Sequence, residues 1–170
     1  MSDSASDDTL SANRRATVRS PRQGQRVAVV GDVYRFLATG AETGGKYATF
    51  EAIVGPGGGP PPHVHSREEE SFYVLEGEIT FRLGDQQIIA PAGTFLNMPV
   101  GSLHCFKNEA GSSARMLISV APAGLDEMFL EVGHPVADDA DTAPPVTQTD
   151  VEKLIATAPH YGIEIKLPGA

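Results

Sequence analysis

The segment from Gly55 to Pro62 consists entirely of glycine and proline, in the order GPGGGPPP. Glycine weakens helices and strands, and proline cannot continue a helix or the interior of a sheet. We therefore predict a loop whose last part is extended, because consecutive prolines favour the polyproline II conformation. The whole chain, with 18 glycines and 13 prolines in 170 residues, is rich in turn-forming residues, which predicts many short strands rather than a helical bundle.

Short apolar or alternating runs follow one another along the middle of the chain and are separated by turns that contain glycine or asparagine. Their spacing of about ten residues is typical of a β-sandwich or β-barrel. No helical period of useful length occurs between Ala28 and Ala121. We therefore predict an all-β barrel over residues 26–123, with strands at 27–30, 33–39, 47–54, 72–75, 78–83, 87–90, 94–98, 103–108 and 114–121.

The two ends of the chain differ from this middle part. Residues 1–25 are polar and lack periodicity, which predicts a flexible N-terminal tail. Residues 124–170 are predicted to form a helical extension. Its second helix should begin with a capping box of Thr149 and Glu152 and end at Pro159. Its first helix should be amphipathic, with apolar residues at helical spacing before a terminating glycine: Leu125, Met128, Phe129, Val132 and Gly133.

The charge and composition of the chain exclude several classes of function. A net charge of −9 repels phosphate backbones, so we predict no nucleic-acid partner. No apolar stretch approaches the ~18 residues of a membrane span, and Met1 to Asp8 lack the apolar segment of a secretory signal. The lone cysteine, Cys105, offers no disulfide framework, which is consistent with a predicted cytoplasmic location.

Three histidines and one glutamate are placed where they could bind a metal together. His63 and His65 are two residues apart, and side chains two apart on a strand point the same way. Glu70 follows shortly after, and His104 lies on a later predicted strand. Three imidazoles and one carboxylate suit a divalent transition metal such as iron, manganese, nickel, cobalt, copper or zinc.

Each of these features has a simpler explanation when it is taken alone. A His-x-His pair is common on protein surfaces, and the run Glu68-Glu69-Glu70 could be a solvated acidic stretch. His104 could be a hydrogen-bonded histidine of the core or its rim. The joint spacing of all four residues is what favours a metal site.

Two segments of the chain resemble the two sequence signatures of the cupin superfamily. The first, GGGPPPHVHSREEESFYVLEG, runs from residue 57 to residue 77, and the second, GTFLNMPVGSLHCFKN, runs from residue 93 to residue 108. Every position of both signatures is matched, by Gly57, His63, His65, Glu70, Gly77, Gly93, Pro99, Gly101, His104 and Asn108.

The resemblance implies a double-stranded β-helix, or jelly-roll cupin barrel, with short C-terminal helices. It also implies one divalent transition metal held inside the barrel by His63, His65, Glu70 and His104. Glu70 is the preferred ligand among the three consecutive glutamates, because six residues separate it from Gly77, as the first signature requires. Glu69 is the alternative, since the start of a strand can slip by one residue.

The sequence looks most similar to small bacterial single-domain cupins of the quercetin 2,3-dioxygenase-like type. This implies a metal-dependent dioxygenase that acts on a small enolisable or aromatic molecule, with Glu70 also acting as the catalytic base if an apolar pocket raises its pKa. A non-catalytic metal- or ligand-binding module and a metal-dependent isomerase or lyase are the alternatives. Arg67 and Arg82 are the only arginines near the signatures, which disfavours a phosphorylated substrate.

Three further expectations concern the surroundings of the site. Cys105 should point away from the metal, because it neighbours His104 on a strand. Single-domain cupins usually pair, so we predict a homodimer to which residues 27–39 contribute an edge. The barrel interior should be apolar, with five candidate lining residues: Phe50, Phe72, Phe81, Met98 and Phe106.

Overall fold

A computed structural model describes residues 14–167 of the chain. Most of the predicted N-terminal tail, residues 1–13, lies outside the described residues, and so does the segment in which no secretory signal was expected. Residues 14–25 contain no helix or strand. Among the described residues, no helix is both long and apolar enough to cross a membrane.

Two antiparallel sheets, of seven and five strands, form the body of the protein. In chain order the strands are β1 (Arg26–Val29), β2 (Asp32–Ala38), β3 (Ala48–Val54), β4 (His63–His65), β5 (Glu69–Glu76), β6 (Glu78–Leu83), β7 (Gln86–Pro91), β8 (Phe95–Met98), β9 (His104–Lys107), β10 (Ala114–Ala121), β11 (His134–Pro135) and β12 (Ile163–Ile165). The larger sheet has the order β11-β1-β2-β3-β10-β5-β8, and the smaller has the order β12-β4-β9-β6-β7.

One apolar core joins the two sheets. On β5, β9 and β10, buried and more exposed residues alternate, because successive strand residues point to opposite faces. The inward residues of both sheets belong to a single cluster, which also includes apolar residues of the C-terminal segment. The predicted all-β, double-stranded β-helix fold is confirmed.

Short helices lie outside the sheets, and two of them differ from the sequence prediction. The helices are α1 (Gly40–Thr43), α2 (Leu125–Val132), α3 (Gln148–Thr157) and a 3₁₀ turn (Ala158–Tyr161). The single-turn helix α1 was missed because it is too short to show a helical period. Helix α2 matches its prediction, but the capping box of α3 is formed by Thr147 and Asp150, not by Thr149 and Glu152.

The C-terminal segment contributes strands as well as helices, which the sequence did not predict. Strand β11 extends the larger sheet beside β1, and β12 extends the smaller sheet beside β4. In the second pairing Ile163 lies opposite His65, and Ile165 lies opposite His63. Strands of two and three residues carry too little pattern to be recognised, and their pairing depends on partners far away in the chain.

The segment that was expected to supply an edge for a homodimer has no free edge in this chain. Strand β1 lies between β11 and β2, and β2 lies between β1 and β3. The outermost strands of the two sheets are instead β11, β8, β12 and β7. The expectation for residues 27–39 is therefore wrong at the level of the single chain, and the homodimer itself stays a prediction.

The glycine–proline loop is tightly packed against its neighbours. The N–H of Gly57 donates to the carbonyl of Asn108 at 2.8 Å, and the N–H of Asn108 donates to the carbonyl of Gly58 at 2.9 Å. A Cβ at Gly59, where φ is +127°, would lie 2.1 Å from the Phe106 carbonyl oxygen. Glycine is required there both by the backbone conformation and by the close approach of the loop to the backbone at Phe106. This contact fixes the loop beside the strand that carries His104.

The pairing of β12 with β4 generates a first prediction. Ile163 is buried at 4% exposure, and Ile89 on β7 is 59% exposed. We expect Ile163→Ala to lower the free energy of unfolding by about 2 to 4 kcal/mol, whereas Ile89→Ala should change it by less than about 0.5 kcal/mol. Urea denaturation of both variants checks this. Equal effects of the two substitutions would contradict the docking of β12 against the barrel.

Candidate metal centre

Four predicted ligand residues come together inside the barrel. One ligand atom from each of His63, His65, Glu70 and His104 lies within 4.8 Å of all the others, and all four residues are buried. We call these four residues the His–Glu cluster. No other group of this kind occurs among residues 14–167.

Three strands from both sheets position the His–Glu cluster. His63 and His65 project from the same face of β4, and His63 lies directly opposite His104 on the neighbouring β9. Glu70 comes from β5 of the other sheet, where it shares the buried face with Phe72 and Val74. The carboxylate therefore meets the three imidazoles across the interior of the barrel.

Each imidazole is held by a hydrogen bond at Nδ1. His63 Nδ1 lies 2.8 Å from the carbonyl oxygen of Pro61, and His104 Nδ1 lies 3.0 Å from that of Ser102. His65 Nδ1 lies 3.3 Å from a carboxylate oxygen of Glu68. Because carbonyl and carboxylate oxygens accept hydrogen bonds, these contacts place a proton on Nδ1 of each ring and turn Nε2 towards the centre of the cluster.

Glu70 makes the closest contacts within the cluster. Its Oε2 lies 2.9 Å from His104 Nε2 and 3.2 Å from His65 Nε2. Burial raises the pKa of Glu70, but the hydrogen bonds and charges of the histidines outweigh burial and hold the pKa well below its usual value. The condition that an apolar pocket raise the pKa of Glu70 is therefore not met, since the neighbours of the carboxylate are polar.

The histidines also have shifted pKa values in this arrangement. Burial lowers the pKa of His63 to about 4, so this imidazole is neutral at pH 7. Burial also disfavours the charged form of His65, but hydrogen bonds to Glu68 and Glu70 outweigh this and raise its pKa to about 9. The four polar groups thus compensate one another electrostatically in a buried environment.

The three consecutive glutamates have three different environments. Glu68 is buried at 2% exposure and contacts His65, whereas Glu70 belongs to the His–Glu cluster. Glu69 is exposed and accepts a hydrogen bond from Asn97, so it does not take the place of Glu70. The sequence did not single out Glu68, because it sits in an acidic run that resembles a solvated surface.

A cavity opens beside the His–Glu cluster. It encloses about 70 Å³ of space that the centre of a water-sized sphere can reach, and it is partly open to solvent. His63, His65 and Glu70 lie at one part of its wall, and most of the remaining wall is apolar. The C-terminal segment contributes a large share of that wall through Leu125, Met128, Phe129, Leu154, Ala158, Ile163 and Ile165.

Of the five residues that were expected to line the interior, one lines the cavity and four do not. Phe106 lines the cavity, whereas Phe50, Phe72, Phe81 and Met98 pack in the core. The sequence missed the contribution of the C-terminal segment because its apolar residues look like an ordinary helical face.

Cys105 and the two nearby arginines lie away from the cluster. Cys105 is half-buried on the face of β9 opposite to His104, as expected, and burial raises the pKa of its thiol. Neither Arg67 nor Arg82 lines the cavity beside the cluster. That cavity therefore lacks a guanidinium from either of the arginines near the signatures.

The donor set fits a divalent transition metal. Three imidazoles that direct Nε2 towards the centre of the cluster and one carboxylate are donors that can together coordinate such an ion. The Nδ1 contacts match the outer hydrogen bonds by which proteins orient histidine ligands. Three residues of the cluster, His63, His65 and Glu70, line the cavity, so a molecule bound there would lie next to the donor groups.

The fold and this centre define the class of protein: a double-stranded β-helix with a three-histidine, one-glutamate cluster in its interior. The family model described as "Cupin domain" matches residues 50–120, a range that contains all four cluster residues. The chain therefore contains a cupin domain in residues 50–120. Its similarity to the crystal structure of a predicted oxalate decarboxylase from Thermotoga maritima has a TM-score of 0.58 at 20% identity, covering 63% of this chain and 99% of that chain.

Two curated relatives match the chain by sequence. Quercetin 2,3-dioxygenase from Bacillus subtilis (strain 168) is 25% identical over 113 residues, which are 66% of this chain and 33% of that protein. Polyketide synthase CurC from Streptomyces cyaneus is 30% identical over 101 residues, which are 59% of this chain and 60% of that protein. The chain thus spans only a third of the first relative and about three fifths of the second.

The buried contact between His65 and Glu68 generates a second prediction. We expect Glu68→Gln to weaken the binding of Mn²⁺ or Zn²⁺ by about 10- to 100-fold, because it removes the carboxylate that orients His65. The neighbouring Glu69→Gln is the matched control and should leave affinity unchanged. Isothermal titration calorimetry of the metal-free proteins measures the metal affinities of both variants. An unaltered affinity in Glu68→Gln would show that Glu68 does not orient the ligand.

Proposed function

We propose that the protein is a metal-dependent oxidoreductase, a dioxygenase that acts on a small enolisable or aromatic molecule. The main support is the His–Glu cluster, whose three imidazoles direct Nε2 towards one carboxylate at the edge of an apolar cavity. The name of the Bacillus relative, quercetin 2,3-dioxygenase, supports oxygen chemistry as the first candidate. Because the chain spans a third of that protein, the particular substrate belongs to the proposal.

In this proposal His63, His65, Glu70 and His104 hold one divalent transition metal. When bound, such an ion acts as a Lewis acid and as a template that brings an electron-rich substrate and dioxygen together. The chain contributes orientation: Pro61, Ser102 and Glu68 fix the three imidazole rings. Preorganised ligands of this kind need little rearrangement when a substrate arrives.

Glu70 is the proposed acceptor of the substrate's hydroxyl proton. Its two histidine contacts hold it as a carboxylate, so it is ready to accept a proton without first losing one. Its low pKa makes it a weak base, so the transfer requires that the substrate hydroxyl be acidic. Enols and phenols meet this requirement better than aliphatic alcohols do.

The cavity wall favours an uncharged, largely apolar substrate. The side chains of Ile118, Phe129 and Ile163 contribute apolar surface to the wall beside the cluster. An apolar molecule gains by leaving water for such a space. The absence of Arg67 and Arg82 from the wall disfavours phosphorylated compounds.

A metal-dependent isomerase or lyase that uses no dioxygen is the second candidate. The specific observation in its favour is the name of the Streptomyces relative, polyketide synthase CurC, which describes construction of a polyketide rather than an oxidation. Polyketides and flavonols share enolisable oxygens on an apolar carbon framework, so the same cavity suits both. A binding module without turnover would use the same contacts.

Metal content and oxygen uptake test this proposal together. We expect the purified protein to bind about one transition-metal ion per chain and to consume dioxygen when a flavonol such as quercetin is added. The variant His104→Ala should lose at least tenfold in metal affinity, because it removes one of four ligands. The adjacent Cys105→Ala should keep the metal, because its side chain lies on the opposite face of the strand.

The outcomes separate the candidates. Oxygen uptake that requires the metal and disappears in His104→Ala supports the dioxygenase. Conversion of an enolisable compound without oxygen uptake favours the isomerase or lyase. Retention of wild-type metal affinity in His104→Ala would contradict the proposed ligand set.

A further inference from the structure

A second buried carboxyl, that of Asp32, lies in the wall of the same cavity. It is the first residue of β2 and is only 2% exposed. It shares an inward face with Tyr34, two residues along the strand, and both residues line the cavity. Asp32 belongs to neither cupin signature and lies outside the His–Glu cluster.

The carboxyl of Asp32 lacks a full set of partners. Its Oδ1 atom is buried without any hydrogen bond, and within residues 14–167 no cation forms an ion pair with it. A backbone hydrogen bond from Gly59 lowers its pKa, but burial outweighs that contact and raises the pKa to about 7. A buried polar atom without a partner costs free energy, so its presence calls for an explanation.

The glycine–proline loop makes room for this carboxyl. A Cβ at Gly58 would lie only 2.4 Å from Asp32 Oδ1, so a side chain at this position would displace the carboxyl. Pro60 and Pro61 of the same loop line the cavity. The loop therefore packs backbone atoms against the Asp32 carboxyl, and Asp32 and the loop prolines belong to the same cavity wall.

The turn before Asp32 is strained. Val30 and Gly31 connect β1 to β2 with φ values of 42° and 95°. A left-handed conformation is unfavourable for a β-branched residue such as valine, and strain of this kind concentrates at functional sites. Val30 also lines the cavity, so the strained turn delivers both Val30 and Asp32 to the same wall.

The cavity thus has polar groups in two places. The His–Glu cluster supplies one group, and Asp32 with Tyr34 supplies the other, while most of the remaining lining residues are apolar. Burial, followed by the charges of Asp32 and Glu70, raises the pKa of Tyr34, so its phenol stays protonated. Strands β3 and β10 separate β2 from β5 in the sheet, so Asp32 and Glu70 approach a bound molecule from different positions.

We propose that Asp32 is a specificity-determining residue that accepts a hydrogen bond from a second hydroxyl group of the substrate. The ligand is then an apolar, polyhydroxylated aromatic molecule, with one oxygen directed to the His–Glu cluster and a hydroxyl elsewhere on its framework directed to Asp32. This inference rests on the proposed small-molecule function, but it does not depend on whether dioxygen is consumed. A site built to bind a hydroxyl discriminates strongly against analogues that lack it.

A stability comparison distinguishes this role from a structural one. At pH 8 the Asp32 carboxyl is mostly charged, so Asp32→Asn should raise Tm by about 2 to 4 °C, because it removes an uncompensated buried charge. Asp126→Asn is the matched control. Asp126 is 3% exposed, but its carboxylate accepts hydrogen bonds from the N–H groups of Gly40 and Gly124 at 2.7 and 3.0 Å. That substitution should lower Tm.

Ligand binding tests the hydroxyl contact directly. Quercetin has hydroxyl groups on several parts of its framework, whereas 3-hydroxyflavone has only the enolic hydroxyl next to its carbonyl. Binding of both probes is measured by fluorescence titration of the metal-loaded protein without oxygen. We expect Asp32→Leu to weaken quercetin binding by about tenfold or more and 3-hydroxyflavone binding by less than about twofold.

Each outcome decides for or against the proposal. A raised Tm in Asp32→Asn, unchanged metal content, and selective loss of quercetin affinity in Asp32→Leu support it. A lowered Tm in Asp32→Asn, equal effects on both probes, or a wild-type protein that binds neither probe overturns it. Selective loss of quercetin affinity in Asp32→Leu, in a protein that takes up no oxygen, supports the proposed role of Asp32 and contradicts only the proposed dioxygenase activity.

Discussion

The burial of three imidazoles and a carboxylate in an apolar barrel is the constraint on which the rest of the structure depends. Buried polar groups are tolerated only when hydrogen bonds satisfy them. Here the backbone carbonyls of Pro61 and Ser102 and the carboxylate of Glu68 accept from the three Nδ1 atoms. These contacts stabilise the buried rings and also turn each Nε2 towards the centre of the cluster. The same hydrogen bonds therefore support both the fold and the geometry of the site.

The C-terminal segment is part of this arrangement rather than an appendage. Strand β12 lies beside β4, which carries His63 and His65, and residues of the same segment form much of the cavity wall. The N–H of Ser66 donates to the carbonyl of Gly162 at 2.8 Å, which secures the end of β4. The segment that forms much of the cavity wall therefore also supports the strand that supplies two of the four cluster residues.

Much of the fold and the four cluster residues could be predicted because they depend on local pattern. Alternation and turn residues located most strands, and the two signatures fixed the spacing of His63, His65, Glu70 and His104. The Nδ1 partners could not be predicted in the same way. Two of them are backbone carbonyls, which any residue could supply, and the third, Glu68, is hidden in a run of acidic residues.

Other features remained hidden because they depend on long-range packing. Strand β12 has three residues, and only its pairing with β4 makes it a strand. Asp32 follows a glycine turn, where an aspartate is usually solvated, and its burial arises from the loop around Gly58. The cavity wall likewise combines residues from both ends of the described chain, which no local pattern links.

A crystal structure of the metal-loaded protein, with anomalous scattering from the ion, would show how the three histidines are oriented. We expect one anomalous peak bound by Nε2 of His63, His65 and His104 and by the carboxylate of Glu70, with the Nδ1 contacts preserved. A peak bound through Nδ1 of any of these histidines, or one that lies away from the four residues, would contradict it.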